Sequence, residues 1–507
     1  MKLRLAEYPF IVLLMAIAAL AMLVPAIYAF TLGDFAGARA FFYSAILFTL
    51  LSILLAIATQ HYRPASIARS QLIALLAAFS VLPLMLAVPF YEALGTVSFR
   101  DAWFEMVSSF TTTGATLFDN PRSLTRPLHL WRALVGWMGG LLIWVAAASI
   151  LAPMNLGGFE VRATATAGQG ANDFRQIARI ADPSERLTRF AAKLVPLYTA
   201  LTLLLWLGLT MLGEVPFVAL SHAMSVMATS GISPVGGLFY SGAGVFGEML
   251  IFVFMLFALS RLTFGRGLMG EDRKGVFYDP EFRLGMTLVV ILPALLFLRH
   301  WIGATEASTG IGDVQSGLRA LWGGIFTVMS FLTTTGFESA SWLGAANWSG
   351  LPTPGLFLVG LSMIGGGVAT TAGGVKLLRV YALYKHSERE LERLVHPNSV
   401  GGAGADARRI RKQGAYIAWI FFMLFSMSIA AVMVLLSLTG VQFETAMVLA
   451  VAALSTTGPL ADVGAEAPIS YAGLTAFAKY VLAAAMVVGR LEALAIIALL
   501  NPEFWRR

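Results

Sequence analysis

Hydrophobic positions run in long blocks along this chain, and polar positions gather between the blocks. Ten apolar stretches are long enough to cross a bilayer, near 8–30, 40–60, 70–91, 129–152, 187–213, 245–264, 283–303, 354–378, 414–439 and 473–500. About 20 apolar residues are needed for one helical crossing. The first stretch, from Pro9 to Phe30, follows Lys2 and Arg4 as the core of a signal peptide would. Its length suits a retained span better, because a signal core is usually shorter. Between some stretches lie segments too short or too mixed to cross, near 98–119, 215–236, 315–340 and 442–463.

Each of these short segments ends in a similar string: Thr111–Thr116 (TTTGAT), Thr229–Ser233 (TSGIS), Thr333–Glu338 (TTTGFE) and Ser455–Leu460 (STTGPL). Aligned on Gly114, Gly231, Gly336 and Gly458, the likeness extends backwards. Two residues earlier stand Thr112, Thr229, Thr334 and Thr456; one earlier stand Thr113, Ser230, Thr335 and Thr457. Six earlier stand Ser108, Ser225, Ser330 and Ala452, and twelve earlier Ala102, Ala219, Gly324 and Ala446. The pattern predicts a fourfold internal repeat, each unit a span, a re-entrant segment and a second span.

Composition removes the soluble alternatives. Hydrophobic residues make up 58% of the 507 and charged residues only 12%, against about 25% charged in an ordinary globular domain. So little charge cannot cover a soluble surface, and the chain reads as a polytopic membrane protein. The isoelectric point near 9.6 then marks cytoplasmic loops rather than nucleic-acid binding. With the N-terminus inside, 26 of the 35 Lys and Arg fall in inside segments, which predicts both termini cytoplasmic. Arg39, Arg100, Arg122, Arg126, Arg132, Arg299 and Arg319 fall outside; Arg122, Arg126 and Arg132 run against the trend. The absence of cysteine excludes disulfides, thiolate metal sites and thiol nucleophiles. The six histidines form no ligand-spaced pair, so an intramembrane enzyme is not indicated.

The repeated strings point to a cation. Non-helical backbone at membrane depth is tolerated where protein buries it or it lines a watery cavity. A short helix entering from outside turns its partially negative C-terminal end inward, and the carbonyls that follow can replace a cation's hydration shell. Four such loops would surround one axis. Candidate ligands are Thr112, Thr113 and Gly114; Thr229, Ser230, Gly231 and Ile232; Thr334, Thr335, Gly336 and Phe337; and Thr456, Thr457 and Gly458. Asp119, Glu338 and Asp462 follow the strings and can draw cations to the mouth, as could any solvated loop. An inverted-repeat secondary transporter for another cation is the alternative, but such repeats place broken helices at the midplane, whereas these segments all enter from one side.

Two further features lie deeper. The run Gly365–Gly374 breaks the eighth stretch with five glycines and two threonines. It is not a phosphate-binding loop, because no Ser or Thr follows Lys376; it is either a flexible kink or an unwound loop. Arg490 falls within the last stretch, where a charge normally faces a cavity or a partner, so it either lines a path or pairs with another helix.

These residues carry a resemblance. The four strings, Trp137-Met138-Gly139-Gly140, the run Gly365–Arg379 (GGGVATTAGGVKLLR), Gly489-Arg490-Leu491-Glu492, Pro502 and Trp505 are similar to the Trk/Ktr/HKT superfamily, and two extra leading helices point to its TrkH type. The resemblance implies an all-α polytopic membrane protein in which four pseudo-symmetric helix–pore-loop–helix repeats surround one ion pore, preceded by two extra membrane helices. The units would be 1–66, then pore repeats 67–160, 161–270, 271–395 (with a broken second helix) and 396–507. It further implies potassium uptake across the bacterial inner membrane, with potassium bound at the filter residues and no organic cofactor. The partners implied are the lipid bilayer, a second copy of the chain and a cytoplasmic TrkA-type nucleotide-binding ring, with no nucleic acid. Gly365, Gly366, Gly367, Thr370, Thr371, Gly373, Gly374, Lys376 and Arg490 would form the gate. Ser230 departs from the family pattern, where glycine is expected. Glycine rather than serine at 114 implies potassium over sodium, and the short Thr-x-Gly runs imply weaker discrimination than in a potassium channel. The basic loops 153–193 and 376–413 leave room for a soluble regulator, with Ser399–Asp406 as a linker.

Overall fold

In the computed structural model the described residues are 8–60, 67–154, 156–161, 183–260, 276–306, 314–351, 353–396 and 412–492. Lys2, Arg4, Ser399–Asp406, Pro502, Trp505, Arg506 and Arg507 lie outside them. The described residues form helices joined by turns, with no strand among them. First come α1 (Phe10–Thr31), α2 (Phe35–Ala58) and α3 (Arg69–Leu94). Then follow α4 (Phe99–Phe110), α5 (Arg126–Ala146), α6 (Pro183–Met211), α7 (Pro216–Ala228) and α8 (Gly244–Leu259). The remainder are α9 (Pro280–Glu306), α10 (Val314–Leu332), α11 (Trp342–Ser349), α12 (Leu356–Ile364), α13 (Leu377–Val395), α14 (Lys412–Ser437), α15 (Phe443–Leu454), α16 (Leu460–Val463) and α17 (Ala476–Leu491).

Seven of these, α1, α2, α3, α5, α6, α9 and α14, are long and apolar enough to cross a membrane. Ile27, Phe30, Leu54 and Ile57 stand exposed on α1 and α2, a surface suited to lipid rather than water. The protein is therefore a multi-pass membrane protein. The stretches at 245–264, 354–378 and 473–500 do not yield helices of full length among the described residues. The second is cut after Ile364, where Gly365 takes a φ of 73°. The third stops at Leu491 because Glu492 turns to a φ of 63°. Part of the expected basic loop 376–413 is helical instead. Over Leu377–Val395, α13 carries Lys385–Glu388 and Arg393–Glu390 pairs at 2.5 and 3.1 Å, exposed pairs worth a few tenths of a kcal/mol each.

Local chemistry explains the starts of the short helices. Ser98 caps α4 by accepting from the Asp101 amide, which satisfies an orphan donor, and Asp101 sits in the first turn where a negative charge suits the dipole. Thr475 caps α17 the same way, accepting from Ala478. Pro216 opens α7 at a position that needs no amide donor.

Close packing behind the short helices relies on small residues, as it must where lipid supplies no hydrophobic drive between helices. A Cβ on Gly139 of α5 would lie 1.9 Å from the Phe110 carbonyl at the end of α4. A Cβ on Gly489 of α17 would lie 2.2 Å from the Leu454 carbonyl at the end of α15. Phe110 and Leu454 hold the same register, each four residues before its string's glycine.

Candidate functional site

The helices α4, α7, α10 and α15 end alike. The threonine two residues before each glycine takes a left-handed backbone: φ is 57° at Thr112, 51° at Thr229, 56° at Thr334 and 55° at Thr456. For a β-branched residue this is an outlier, with a cost of order 1–3 kcal/mol at each position. The next amide closes each helix end by bonding back five residues. Thr113 bonds to Ser108 at 2.8 Å, Ser230 to Ser225 at 3.0 Å, Thr335 to Ser330 at 2.8 Å and Thr457 to Ala452 at 2.8 Å. That closure is the usual partner of a left-handed residue at a helix terminus. Beside it, the Thr111 hydroxyl meets that of Thr113 at 2.8 Å, and Thr333 meets Thr335 at 3.0 Å. Ser455 donates to Thr457 at 3.2 Å. Where the second string has Ala228, Ser225 and Ser230 meet instead at 3.1 Å.

The strings come together in chain order. A Cβ on Gly114 would lie 1.8 Å from the Ser230 carbonyl oxygen, and one on Gly231 would lie 2.6 Å from that of Thr335. One on Gly336 would lie 2.9 Å from the ring of Pro459, and the Gly458 amide donates to the Thr113 carbonyl at 2.6 Å. Loop 1 thus meets loop 2, loop 2 meets loop 3, loop 3 meets loop 4, and loop 4 returns to loop 1. Gly114, Gly231 and Gly336 have φ of 74°, 64° and 82°, whereas Gly458 leads through Pro459 into α16. The fourth loop is therefore not equivalent to the others, which its composition alone did not suggest.

The hydroxyls of Thr112 and Thr456 are buried with no hydrogen-bond partner among the described residues. Unpaired buried hydroxyls beside converging carbonyls can accept a dehydrated cation. On the other side of the glycines opens a cavity of about 700 Å³, with Gly114, Gly231, Gly336 and Gly458 in its lining together with Asp119 and Asp462. Glu338 lines it as well. Burial, and then Asp462, push the Glu338 carboxyl up to about 7; burial, and then Asp119, push Asp462 up to about 6.

Residues 365–376 lie unwound against the same helix ends. The Gly373 amide donates to the Thr334 hydroxyl at 2.7 Å, and the Thr371 hydroxyl donates to the Met227 carbonyl at 3.1 Å. A Cβ on Gly373 would lie 2.1 Å from the Ser455 carbonyl. The segment therefore touches the ends of α7, α10 and α15. Gly367 is held by its amide to Ala258 at 2.8 Å, Thr370 donates to the Gly367 carbonyl at 2.8 Å, and Val368 donates to Glu281 at 3.3 Å. Gly365 packs against Gly374, and a Cβ on Gly366 would press on Ala258. Lys376, with φ of 85°, donates from Nζ to the Ala372 carbonyl. Arg490 stands in the last turn of α17, not in mid-helix, and donates to the Thr371 carbonyl at 2.7 Å. This contact with the unwound segment is neither of the two arrangements the sequence suggested, a path-lining charge or a pair with another helix. No ion pair of Arg490 occurs among the described residues, and its Nε has no hydrogen-bond partner there.

Several buried charges escaped the sequence reading. Arg132, counted as an outer-loop charge, is buried with Nε 2.6 Å from Glu105 of α4. Glu492 pairs with Arg379 at 2.7 Å, and Arg379 also lies 3.7 Å from the Phe421 ring centre. Glu248, in the apolar run of α8, accepts from Trp322, Ser339 and Ala340. A lone acid in an apolar helix was the available signal.

The TrkH family, described as cation transport proteins, matches residues 282–506. The Trk system potassium uptake protein TrkH of Salmonella typhimurium LT2 is 31% identical over 432 residues, covering 83% of this chain and 82% of that protein. The Trk system potassium uptake protein TrkG of Escherichia coli K12 is 27% identical over 421 residues, covering 81% of this chain and 80% of that protein. The crystal structure of the potassium transporter TrkH from Vibrio parahaemolyticus superposes with a TM-score of 0.79 at 27% identity, over 100% of both chains.

Proposed function

Since the chain belongs to the TrkH family of cation transport proteins, we propose that it takes up potassium through the ring of four loops. The observation that carries the reading is that ring: four threonines in the same rare backbone state, on loops that touch in chain order. Helix ends aimed at the ring favour a cation. Thr112, Thr113 and Gly114, with Thr229, Ser230, Gly231 and Ile232, offer carbonyls and hydroxyls from two sides. Thr334, Thr335, Gly336 and Phe337, with Thr456, Thr457 and Gly458, offer them from the other two. An ion trades its water shell for these oxygens and is passed on because no single site holds it too tightly.

The same reading makes residues 365–376 the gate. The segment blocks the inner side of the ring through Gly373 and Thr371, and Arg490 holds it there. Opening moves Gly365, Gly366, Gly367, Thr370, Gly374 and Lys376 with it. Four units, 67–160, 161–270, 271–395 and 396–507, then share the path, after the leading helices of 1–66. The protein works in the bacterial inner membrane with both termini cytoplasmic, as a homodimer with one pore per chain, under a TrkA-type nucleotide-binding ring. The relatives are named as uptake proteins, which supports transport without covalent chemistry.

Flux tests this. Purified protein in liposomes, with potassium, rubidium and sodium gradients compared, is expected to pass potassium and rubidium faster than sodium. Equal flux of all three would reject potassium selection at the ring.

A further inference from the structure

The four loops are held from behind by different side chains, and loop 3 by two of them, because the Ser339 amide donates to the Thr327 hydroxyl at 3.3 Å. Glu105 of α4, 0% exposed, accepts from the Leu117 amide at 3.0 Å through Oε2. Its Oε1 faces Arg132 of α5 at 2.6 Å. Glu248 of α8, 4% exposed, accepts through Oε1 from the Ala340 amide at 2.7 Å. Its Oε2 accepts from the Ser339 hydroxyl and the Trp322 indole, each at 2.8 Å. Leu117 and Ser339 stand at the same place, three residues after Gly114 and Gly336. Loop 2 is held by His222, whose Nε2 meets the Ser233 hydroxyl at 2.9 Å. Loop 4 is held by Tyr471, which donates to the Gly458 carbonyl at 2.9 Å. Carboxylates therefore brace loops 1 and 3, which the order of contacts sets opposite each other.

We propose that Glu105 and Glu248 are positioning residues for ion selection, a pair of buried carboxylate braces that fix the width of the ring across loops 1 and 3. The inference rests on the potassium reading above. A ring that selects a larger cation must resist closing around a smaller one. Closing would draw the Leu117 and Ser339–Ala340 segments inward, away from Glu105 and Glu248. Hydrogen bonds to an ionised carboxylate are roughly twice as strong as neutral ones, and the dry interior strengthens them further. Each inward step therefore stretches bonds to a buried acid: a charge-assisted one at Leu117, where Arg132 faces Glu105, and two at Ser339 and Ala340. Glu248 draws its donors from α10 and from the segment after loop 3, so it also fixes loop 3 against a helix some ninety residues earlier in the chain.

Glu105→Gln and Glu248→Gln keep the side-chain size and turn one acceptor into a donor facing a donor. In liposomes holding the full-length protein, rubidium uptake is measured against competing sodium, with a thermal melt on each preparation. The rubidium-over-sodium ratio is expected to fall by about tenfold, the low end for losing an outer-shell partner of an ion site. Ser339→Ala and Trp322→Phe each remove one donor to Glu248 and are expected to lower the ratio by a smaller factor. They decide the matter should the glutamine variants not fold. Folded variants that keep the wild-type ratio, whatever their rate or melting temperature, would reduce both glutamates to packing and overturn the proposal. The wild-type ratio in the same vesicles tests the potassium reading separately.

Discussion

At the residue scale, the site depends on positions where one added atom has nowhere to go. Gly114 combines a φ of 74° with a Cβ direction that runs 1.8 Å from the Ser230 carbonyl oxygen. Gly114→Ser must part loops 1 and 2, so the potassium-over-sodium ratio is expected to fall by roughly tenfold, about 1.4 kcal/mol. Reversal potentials in bilayers check it; an unchanged preference would remove Gly114 from the filter. The glycine was legible because it recurs four times with threonine before it. The left-handed threonine was not, since nothing in a side chain announces a backbone state that its own sterics oppose. At the mouth, Asp462 shares the cavity with Asp119, Glu338, Arg132 and Tyr471. Its carboxyl, raised to about 6, is charged above that pH and neutral below it. Potassium uptake from outside is therefore expected to decline as external pH falls through about 6, and Asp462→Asn should hold uptake at the lower level at every pH. The raised value also means that ionisation costs the folded state. That cost is absent below the ordinary carboxylate range and grows as pH rises to about 6. The melting temperature of the wild type should thus fall relative to Asp462→Asn between about pH 4 and pH 7.

At the element scale, the proposed gate rests on the unwound run. Its glycines are needed because the backbone passes within contact of Ala258, Leu259 and Ser455, and its polar groups bond to the ends of neighbouring helices as well as to the end of α12, where Val375 and Lys376 donate to Met363 and Ile364. Deleting Gly367–Gly373 removes the Thr371 bond to Met227 and the Gly373 bond to Thr334. Basal rubidium flux is expected to rise several-fold without any partner. A folded deletion variant with unchanged or lower flux would count against this segment as the gate. The break itself was legible in five glycines within ten residues. The early end of α17 was not, because Glu492 looks like one acid inside a long apolar run, and its pairing with Arg379, 113 residues away in the chain, has no sequence signal. The helix over Leu377–Val395 was likewise hidden by its charge, which reads as a loop until the Lys385–Glu388 and Arg393–Glu390 pairs are seen at helical spacing.

At the scale of the whole molecule, the end of α17 is joined to α13 and to the unwound segment through two arginines with different partners. Arg379 and Glu492 form a buried pair at 2.7 Å that ties α13 to the end of α17. Glu492→Gln breaks that pair and is expected to cost roughly 3–5 kcal/mol of stability, seen as an early melt with uptake lost in proportion to folded protein. Arg490, two residues before, has no such carboxylate among the described residues and donates to one carbonyl, that of Thr371. In the proposed gate, two effects of its charge work together. The bond keeps the segment under the ring, and the charge itself opposes a cation on the path by a few kcal/mol at about 4 Å with an effective dielectric of ~20. Arg490→Ala removes both, so flux is expected to increase while the potassium-over-sodium ratio stays near wild type, because no filter residue is touched. Melting temperature and rubidium uptake on one preparation separate the two arginines. A near-normal melt with faster uptake for Arg490→Ala, beside an early melt for Glu492→Gln, is the expected pattern. An early melt without faster uptake for Arg490→Ala would make it a structural brace like Arg379, and would leave the proposed gate held by Gly373 and Thr371 alone.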